Sequence, residues 1–326
     1  MGGDAVSAVV SLAEFEAASG AARRALAAEV DAICRRSGFL AIRDHGVRQE
    51  TIDEVWSLAE AFFDYPEAVK ATAAGPSPSH PYGYFSFLSE ALAKSEGVET
   101  PPDLKESFNC GPFERPKGVI DPEYHDFCYA ETPWPEEPKG FQVACRRYFE
   151  EMNALAGRVM ALFAEALGRP GDYFEPALSS PVSAMRILNY PEQDTAPAPG
   201  QLRAGAHTDY GSLTILLQKD FPPGLQIQSA DGGWEPAPFA PGAFIVNIGD
   251  LLARWTNDRW VSTRHRVANP QDQKKARARR QSIAFFHMPN WDAEIAPISV
   301  EGADSKYAAV LAGPHLMSKF QRSKDV

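Results

Sequence analysis

The rhythm of apolar and polar positions changes near residue 181. Before it, helical texture dominates. Residues 21–37 (AARRALAAEVDAICRRS) are alanine-rich and predict a helix stopped by Gly38, with a strand at 39–43. A second helix is predicted over 51–63, with Pro66 just beyond it. A third is predicted over 140–167, ended by Gly168 and Pro170. Between them, residues 75–118 turn rich in Pro, Gly, Ser and aromatics, the texture of a long structured loop bordering a site. After Pro181 come short strand candidates at 182–190, 213–218, 225–228, 244–248, 260–267 and 281–288. Asp231-Gly232-Gly233 predicts a hairpin turn, and Pro222-Pro223-Gly224 and Asn257-Asp258 predict further turns. Strands at this spacing predict a β-sandwich or barrel rather than a parallel sheet. The expected layout is one domain over 1–326: a helical, loop-rich region (1–180), a β-core (181–290) and a C-terminal segment (291–326).

Composition narrows the function. Of 326 residues, 44% are hydrophobic and 23% charged, which fits a globular chain. The formal net charge of −11 counts against nucleic acid and anionic membranes as partners. No apolar run approaches a membrane span, and the N-terminus lacks the basic start and apolar core of a signal peptide. Gly2 would suit myristoylation, but Val6 stands where that motif needs Ser or Thr. Four cysteines with no CxxC pair argue against a disulfide scaffold or zinc ribbon. The expectation is a cytoplasmic protein. No two of the 24 glycines lie two apart, so GxGxxG is absent. Gly200 and Gly205 have phosphate-loop spacing, but Ala206 follows instead of Lys.

Among seven histidines, only His207 has a carboxylate two positions on, at Asp209. Acidic residues fill 43 of 326 positions, so about one such coincidence is expected by chance. Strand geometry adds weight, because residues i and i+2 share a face. His265, in the strand candidate WVSTRHRV, supplies a third donor. Two histidines and one carboxylate form the facial triad of non-haem Fe(II) oxygenases, which leaves open positions for a chelating cosubstrate and O₂. Two satisfied core or surface histidines are the alternative, and the paired strand contexts argue against it. In RRQSIAFFHMP, Arg280 and Ser282 also share a strand face. A guanidinium fork beside a hydroxyl reads as a carboxylate receptor. The neighbouring Lys274, Lys275, Arg277 and Arg279 read as a solvated hairpin from which Arg280 alone turns inward.

At these residues the chain resembles the isopenicillin N synthase-like branch of the Fe(II)/2-oxoglutarate-dependent dioxygenases. SGFLAIRDHGV (37–47) is similar to that family's N-terminal strand and turn. HTDYGSLTILLQ (207–218), GDLLARWTNDRWVSTRHRV (249–267) and RRQSIAFFHMPN (279–290) are similar to its core motifs, in order. The resemblance implies a double-stranded β-helix, or jelly roll, with packed helices. It implies His207, Asp209 and His265 as iron ligands. It also implies Arg280, Ser282 and Tyr190 as the receptor for the far carboxylate of 2-oxoglutarate. Phe85, Phe108, Asn109 and Arg186 become candidates for the substrate side, with Asn189 a weaker one; packing of a long loop, or a plain salt bridge for Arg186, is the competing role. The implied activity is oxidation of a small organic molecule by O₂, through hydroxylation, desaturation or cyclisation, with succinate and CO₂ as coproducts. Isopenicillin N synthase uses the same Arg-x-Ser pair on its peptide substrate without 2-oxoglutarate, so an iron oxidase is the alternative. HTDYGSLTILL is closer to the cosubstrate users, and Pro81 stands where the synthase has its substrate arginine. A non-catalytic jelly-roll module would bind no Fe(II). The aromatic loop at 76–118 suggests a partly apolar substrate; neither its identity nor the oligomeric state is readable.

Overall fold

The computed structural model describes residues 8–115, 126–193, 196–219, 224–270, 279–298 and 304–324. Most of the turn at Pro222-Pro223-Gly224 and the basic residues Lys274, Lys275 and Arg277 lie outside them.

The predicted helices form where their apolar positions recur every three to four residues. Helix α1 (Leu12–Ala17) leads into α2 (Gly20–Arg36), which buries Ala27, Val30, Ile33 and Cys34 along one face. Gly38 ends it at φ +62, and a Cβ there would meet the Val261 carbonyl oxygen at 2.1 Å, so only glycine fits. Helix α3 (Gln49–Asp64) and the short α4 (Glu67–Lys70) follow. The long α5 (Phe141–Ala166) packs against both α2 and α3. Helices α1, α4, α6 (Asp250–Trp255) and α7 (Ala312–Lys324) fell outside the sequence expectation.

The strands build two main sheets. The larger contains β1 (Val9–Ser11), β2 (Phe39–Arg43), β3 (Gly83–Phe85), β4 (Glu106–Cys110), β5 (Ala184–Tyr190), β7 (Leu213–Leu217), β10 (Phe244–Ile248) and β12 (Arg280–His287), in the order β1-β2-β10-β7-β12-β5-β4-β3. The smaller contains β6 (Ala204–His207), β8 (Leu225–Gln228), β9 (Trp234–Pro236) and β11 (His265–Val267), in the order β6-β11-β8-β9. Pairing is antiparallel except between β1 and β2. Asp231-Gly232-Gly233 connects β8 to β9, as its turn chemistry requires. A small pair, β13 (Glu294–Ile295) and β14 (Val310–Leu311), precedes α7.

Two apolar layers flank the larger sheet. Its outer face packs on the helices, with Phe149 edge-on to Phe285 at 5.1 Å between ring centroids. Its inner face meets the smaller sheet through Leu188, Tyr190, Ala284, Leu225, Ile227 and Val267. This is the jelly-roll core with helices on one side. It explains why β12 is buried along nearly its whole length: odd positions face the helices, even positions the cavity.

The strand expected over 260–267 shortens to His265–Val267. Asn257 and Asp258 both adopt positive φ, and Trp260 is a fully buried plug whose Nε1 donates to Asp31. The loop-rich stretch 75–118 also contributes β3 and β4 to the larger sheet, at the edge beside β5.

Candidate active site

His207 closes β6 and His265 opens β11, directly opposite each other in register. Two β6 residues, Gly205 and Ala206, oppose one of β11, Arg266, between this pair and Ala204↔Val267, a bulge that turns both His207 and Ala204 inward. Asp209 lies beyond the end of β6, so the shared face expected for His207 and Asp209 comes from the turn, not from continuous strand.

Each imidazole is oriented by its own backbone. Nδ1 of His207 lies 2.8 Å from the Gly205 carbonyl oxygen, and Nδ1 of His265 lies 3.1 Å from that of Thr263. These bonds put the proton on Nδ1 and leave the Nε2 lone pairs for a ligand. Both Nε2 atoms approach Asp209 Oδ1, at 3.9 and 3.8 Å. Asp209 Oδ2 is already committed: it accepts from Thr214 Oγ1 at 2.5 Å and Asn247 Nδ2 at 2.7 Å. Among the described residues, these three alone form a group of His, Cys, Asp or Glu able to converge on one ion. Burial, together with the neighbouring His265, pushes the His207 pKa down to about 4, so its ring is neutral near pH 7. Burial raises the Asp209 carboxyl, but the two imidazoles and the two hydrogen bonds outweigh it, holding the pKa below its usual value. Two imidazole nitrogens and one carboxylate are the donor set that a divalent transition metal takes.

Thr214 on β7 and Asn247 on β10 were not singled out from the sequence. Thr214→Val or Asn247→Ala is expected to weaken Fe(II) binding about 10- to 100-fold, because each frees Oδ2 and lets the carboxylate rotate. Anaerobic metal titration checks this.

The residues expected to receive a carboxylate, Arg280 and Ser282, lie on the inner face of β12. Arg280 Nη1 donates to Ser282 Oγ at 3.0 Å and Nη2 to Gln218 Oε1 at 3.0 Å. The guanidinium carbon sits 4.9 Å from the Tyr190 ring centroid, across the β12–β5 pairing. Gln218 Nε2 is buried without a hydrogen-bond partner among the described residues, a donor prepared for an acceptor that the protein does not supply. Burial raises the Tyr190 phenol despite the opposing charge of Arg280. A second buried cation, Arg203, stands near enough that burial and then the charge of Arg280 lower its pKa. Gln218 closes the stretch HTDYGSLTILLQ but was not singled out, and Arg203 lies in none of the motifs; only the fold brings them together here. Arg279, expected in solvent, instead donates to Asn189 on the outer face.

The substrate-side candidates divide between the two faces. Register places Asn109 opposite Arg186, and Ser107 opposite both Leu188 and Phe85. Leu188 and Tyr190 face the cavity, so Phe85, Ser107, Asn109 and Arg186 lie on that side. Phe108 and Asn189 do not. Phe108 is fully buried against Phe62, Phe141 and Trp134 in the helix-facing layer, and Asn189 donates to Glu106 there. Both correct the sequence expectation: consecutive strand residues face opposite ways. Phe108→Ala should therefore act on stability, at about 3–5 kcal/mol, rather than on cosubstrate affinity. Chemical denaturation beside a 2-oxoglutarate titration separates the two.

Comparison with known proteins matches this geometry. Residues 182–289 match the family described as the 2OG-Fe(II) oxygenase superfamily, and residues 8–137 match the non-haem dioxygenase N-terminal family named for morphine synthesis. Validamycin A dioxygenase from Streptomyces hygroscopicus subsp. limoneus is 30% identical over 314 residues, covering 95% of this chain and 85% of that one. Homoarginine-6-hydroxylase from Oryza sativa subsp. japonica is 31% identical, covering 89% and 87%. The crystal structure of a full-length Neurospora crassa protein in complex with alpha-KG superposes with a TM-score of 0.83 at 29% identity, covering 96% of this chain and 95% of that one.

Proposed function

Since the chain belongs to the 2OG-Fe(II) oxygenase superfamily, we propose that His207, Asp209 and His265 hold its iron and that Arg280, Ser282, Tyr190 and Gln218 receive its 2-oxoglutarate. The protein is an Fe(II)- and 2-oxoglutarate-dependent dioxygenase acting on a small organic molecule, with succinate and CO₂ as coproducts. The oxidase alternative gives way to the cosubstrate-dependent relatives and to the neighbour crystallised with alpha-KG.

One observation carries the ligand assignment. The two Nε2 atoms converge on Asp209 Oδ1 while every other donor position of the three side chains is committed to a protein partner. Bound iron supplies the oxidative chemistry that couples loss of CO₂ from the keto acid to oxidation of the substrate. The chain's own residues do the rest. The neutral His207 imidazole donates without first losing a proton. Thr214 and Asn247 keep Oδ1 aimed at the metal. Arg280 meets the far carboxylate with a planar fork. The apolar inner layer excludes water from the cavity.

Strands within residues 9–110 complete the sheet that carries Arg280, which supports the reading as one domain. Among the described residues no helix is long and apolar enough to cross a membrane. The four cysteines are buried and free, which supports a reducing, cytoplasmic setting. The assignment is tested by metal content after anaerobic reconstitution of the wild type and the three single alanine variants; an alanine variant that keeps one iron and full turnover overturns it.

A further inference from the structure

Apart from the metal-binding residues and the Arg280 cluster, the polar part of the inner surface is the wall formed by β3, β4 and β5. The Lys105 side chain, almost wholly buried, bonds Glu90 at 2.5 Å, and Glu90 also pairs with Arg186 at 3.3 Å. Glu90 thus bridges two cations. Burial opposes its ionisation, but Arg186 and Lys105 hold its pKa down to about 2. Asp103 lies 3.9 Å from the same ammonium. Two cations face two carboxylates, so this wall has little net charge to offer an ion.

It does offer unmet hydrogen bonds. Asn109 is 5% exposed, and its Oδ1 has no hydrogen-bond partner among the described residues. Its amide orientation is set, because Nδ2 reaches the Pro81 carbonyl oxygen at 3.4 Å. Oδ1 is therefore left as a buried acceptor on the inner side of β4, where an anion would be repelled and an N–H or O–H welcomed. Ser107 Oγ, two residues earlier on the same face and fully buried, is likewise unpartnered among the described residues. Arg186 stands directly across from Asn109 and brings N–H donors within reach of the same molecule. Leaving such groups unpaired is costly, so a ligand that pairs them gains specificity.

The distance to the chemistry follows from the sheet. Arg186 pairs with Ala284 on β12, and Ala284 pairs with Leu216 on β7, two residues from Thr214, which holds Asp209. Two strand spacings with that two-residue offset put Arg186 about 12 Å from Thr214, and Asn109, one strand further out, about 16 Å from it. The surface between is apolar: Leu188, Ala284, Leu216 and Phe286.

We propose that the primary substrate is a compact, uncharged molecule of one or two rings carrying an amide-like edge, whose N–H is accepted by Asn109 Oδ1 and whose carbonyl is met by Arg186 and Ser107, with its apolar body lying toward the metal. The inference rests on the dioxygenase reading of the same cavity and adds the substrate's chemical class.

The test is anaerobic calorimetry on protein loaded with Fe(II) and 2-oxoglutarate. Three probe sets of matched size are titrated: cyclic amides (uracil and 2-piperidone), cyclohexanecarboxylate, and cyclohexylamine. A cyclic amide is expected to bind at least ten times more tightly than the acid or the amine. Asn109→Ala is expected to weaken it about tenfold or more while leaving 2-oxoglutarate affinity in place. Asn109→Leu, closer in volume, gives the same reading if the alanine variant folds poorly. Tighter binding of the acid or the amine, equal binding of all three, no amide binding up to millimolar concentration, or an unchanged amide affinity in the variants overturns the proposal. Intact 2-oxoglutarate binding in that experiment keeps the dioxygenase reading standing, whereas its loss in the wild type would count against that reading instead.

Discussion

Asp209→Ala protein is expected to hold no Fe(II) and to show no turnover above background, a loss of at least about 10³-fold. Asp209 supplies the only anionic donor of the three, and its Oδ1 is where both Nε2 atoms converge. Two neutral imidazoles alone hold a ferrous ion weakly, because the carboxylate both neutralises charge and closes the chelate. The alanine variant also strands the donors of Thr214 and Asn247 in a buried position, at a cost of about 1–3 kcal/mol each. Asp209→Asn separates the two effects. It keeps the shape and an acceptor oxygen while removing the charge, so it should melt near the wild type yet still lose iron. Metal analysis on the anaerobically reconstituted variants, with succinate release alongside, reads both. Retained iron in Asp209→Asn together with full turnover would place the ligand elsewhere.

Arg280→Ala is expected to raise the dissociation constant for 2-oxoglutarate by roughly 10²- to 10⁴-fold and to leave Fe(II) affinity unchanged. Two charge-assisted hydrogen bonds at about 1.5–3 kcal/mol each give that range. The side chain is 8% exposed and fixed by Ser282, Gln218 and the Tyr190 ring, so its fork is preorganised. Arg280→Lys keeps the charge but not the fork, and should recover only part of the loss. Anaerobic calorimetry of 2-oxoglutarate binding to the metal-loaded variants decides it. If Arg280→Ala bound the keto acid as the wild type does, Arg203 would become the stronger candidate for that contact.

The sequence by itself determined the local elements and the chemistry-bearing pairs. Apolar spacing placed α2, α3 and α5, and strand texture placed β2, β5, β7, β8, β10 and β12 within a residue or two. Strand parity put Arg280 and Ser282 on one face, because the two-residue repeat is a property of extended backbone itself. Parity does not say which face looks inward. In a half-exposed strand, burial would answer, since polar residues mark the solvent side. Here β4 and β12 are buried on both faces, by the helices outside and the smaller sheet inside, so the alternation that would distinguish them is missing. Phe108 and Asn109 looked equivalent in sequence for that reason, and only the pairing of β4 with β5 sent one into the helical layer and the other into the cavity. The same holds for residues that act through long-range contact. Nothing in the sequence singles out Lys105 until the fold closes Glu90 over it, and Thr214, although inside the stretch 207–218, and Asn247 gain a role only when antiparallel pairing brings them together beneath Asp209. Local sequence sets periodicity because it acts over a few bonds; which groups share a buried site depends on contacts between distant segments, and those exist only once the sheets have closed.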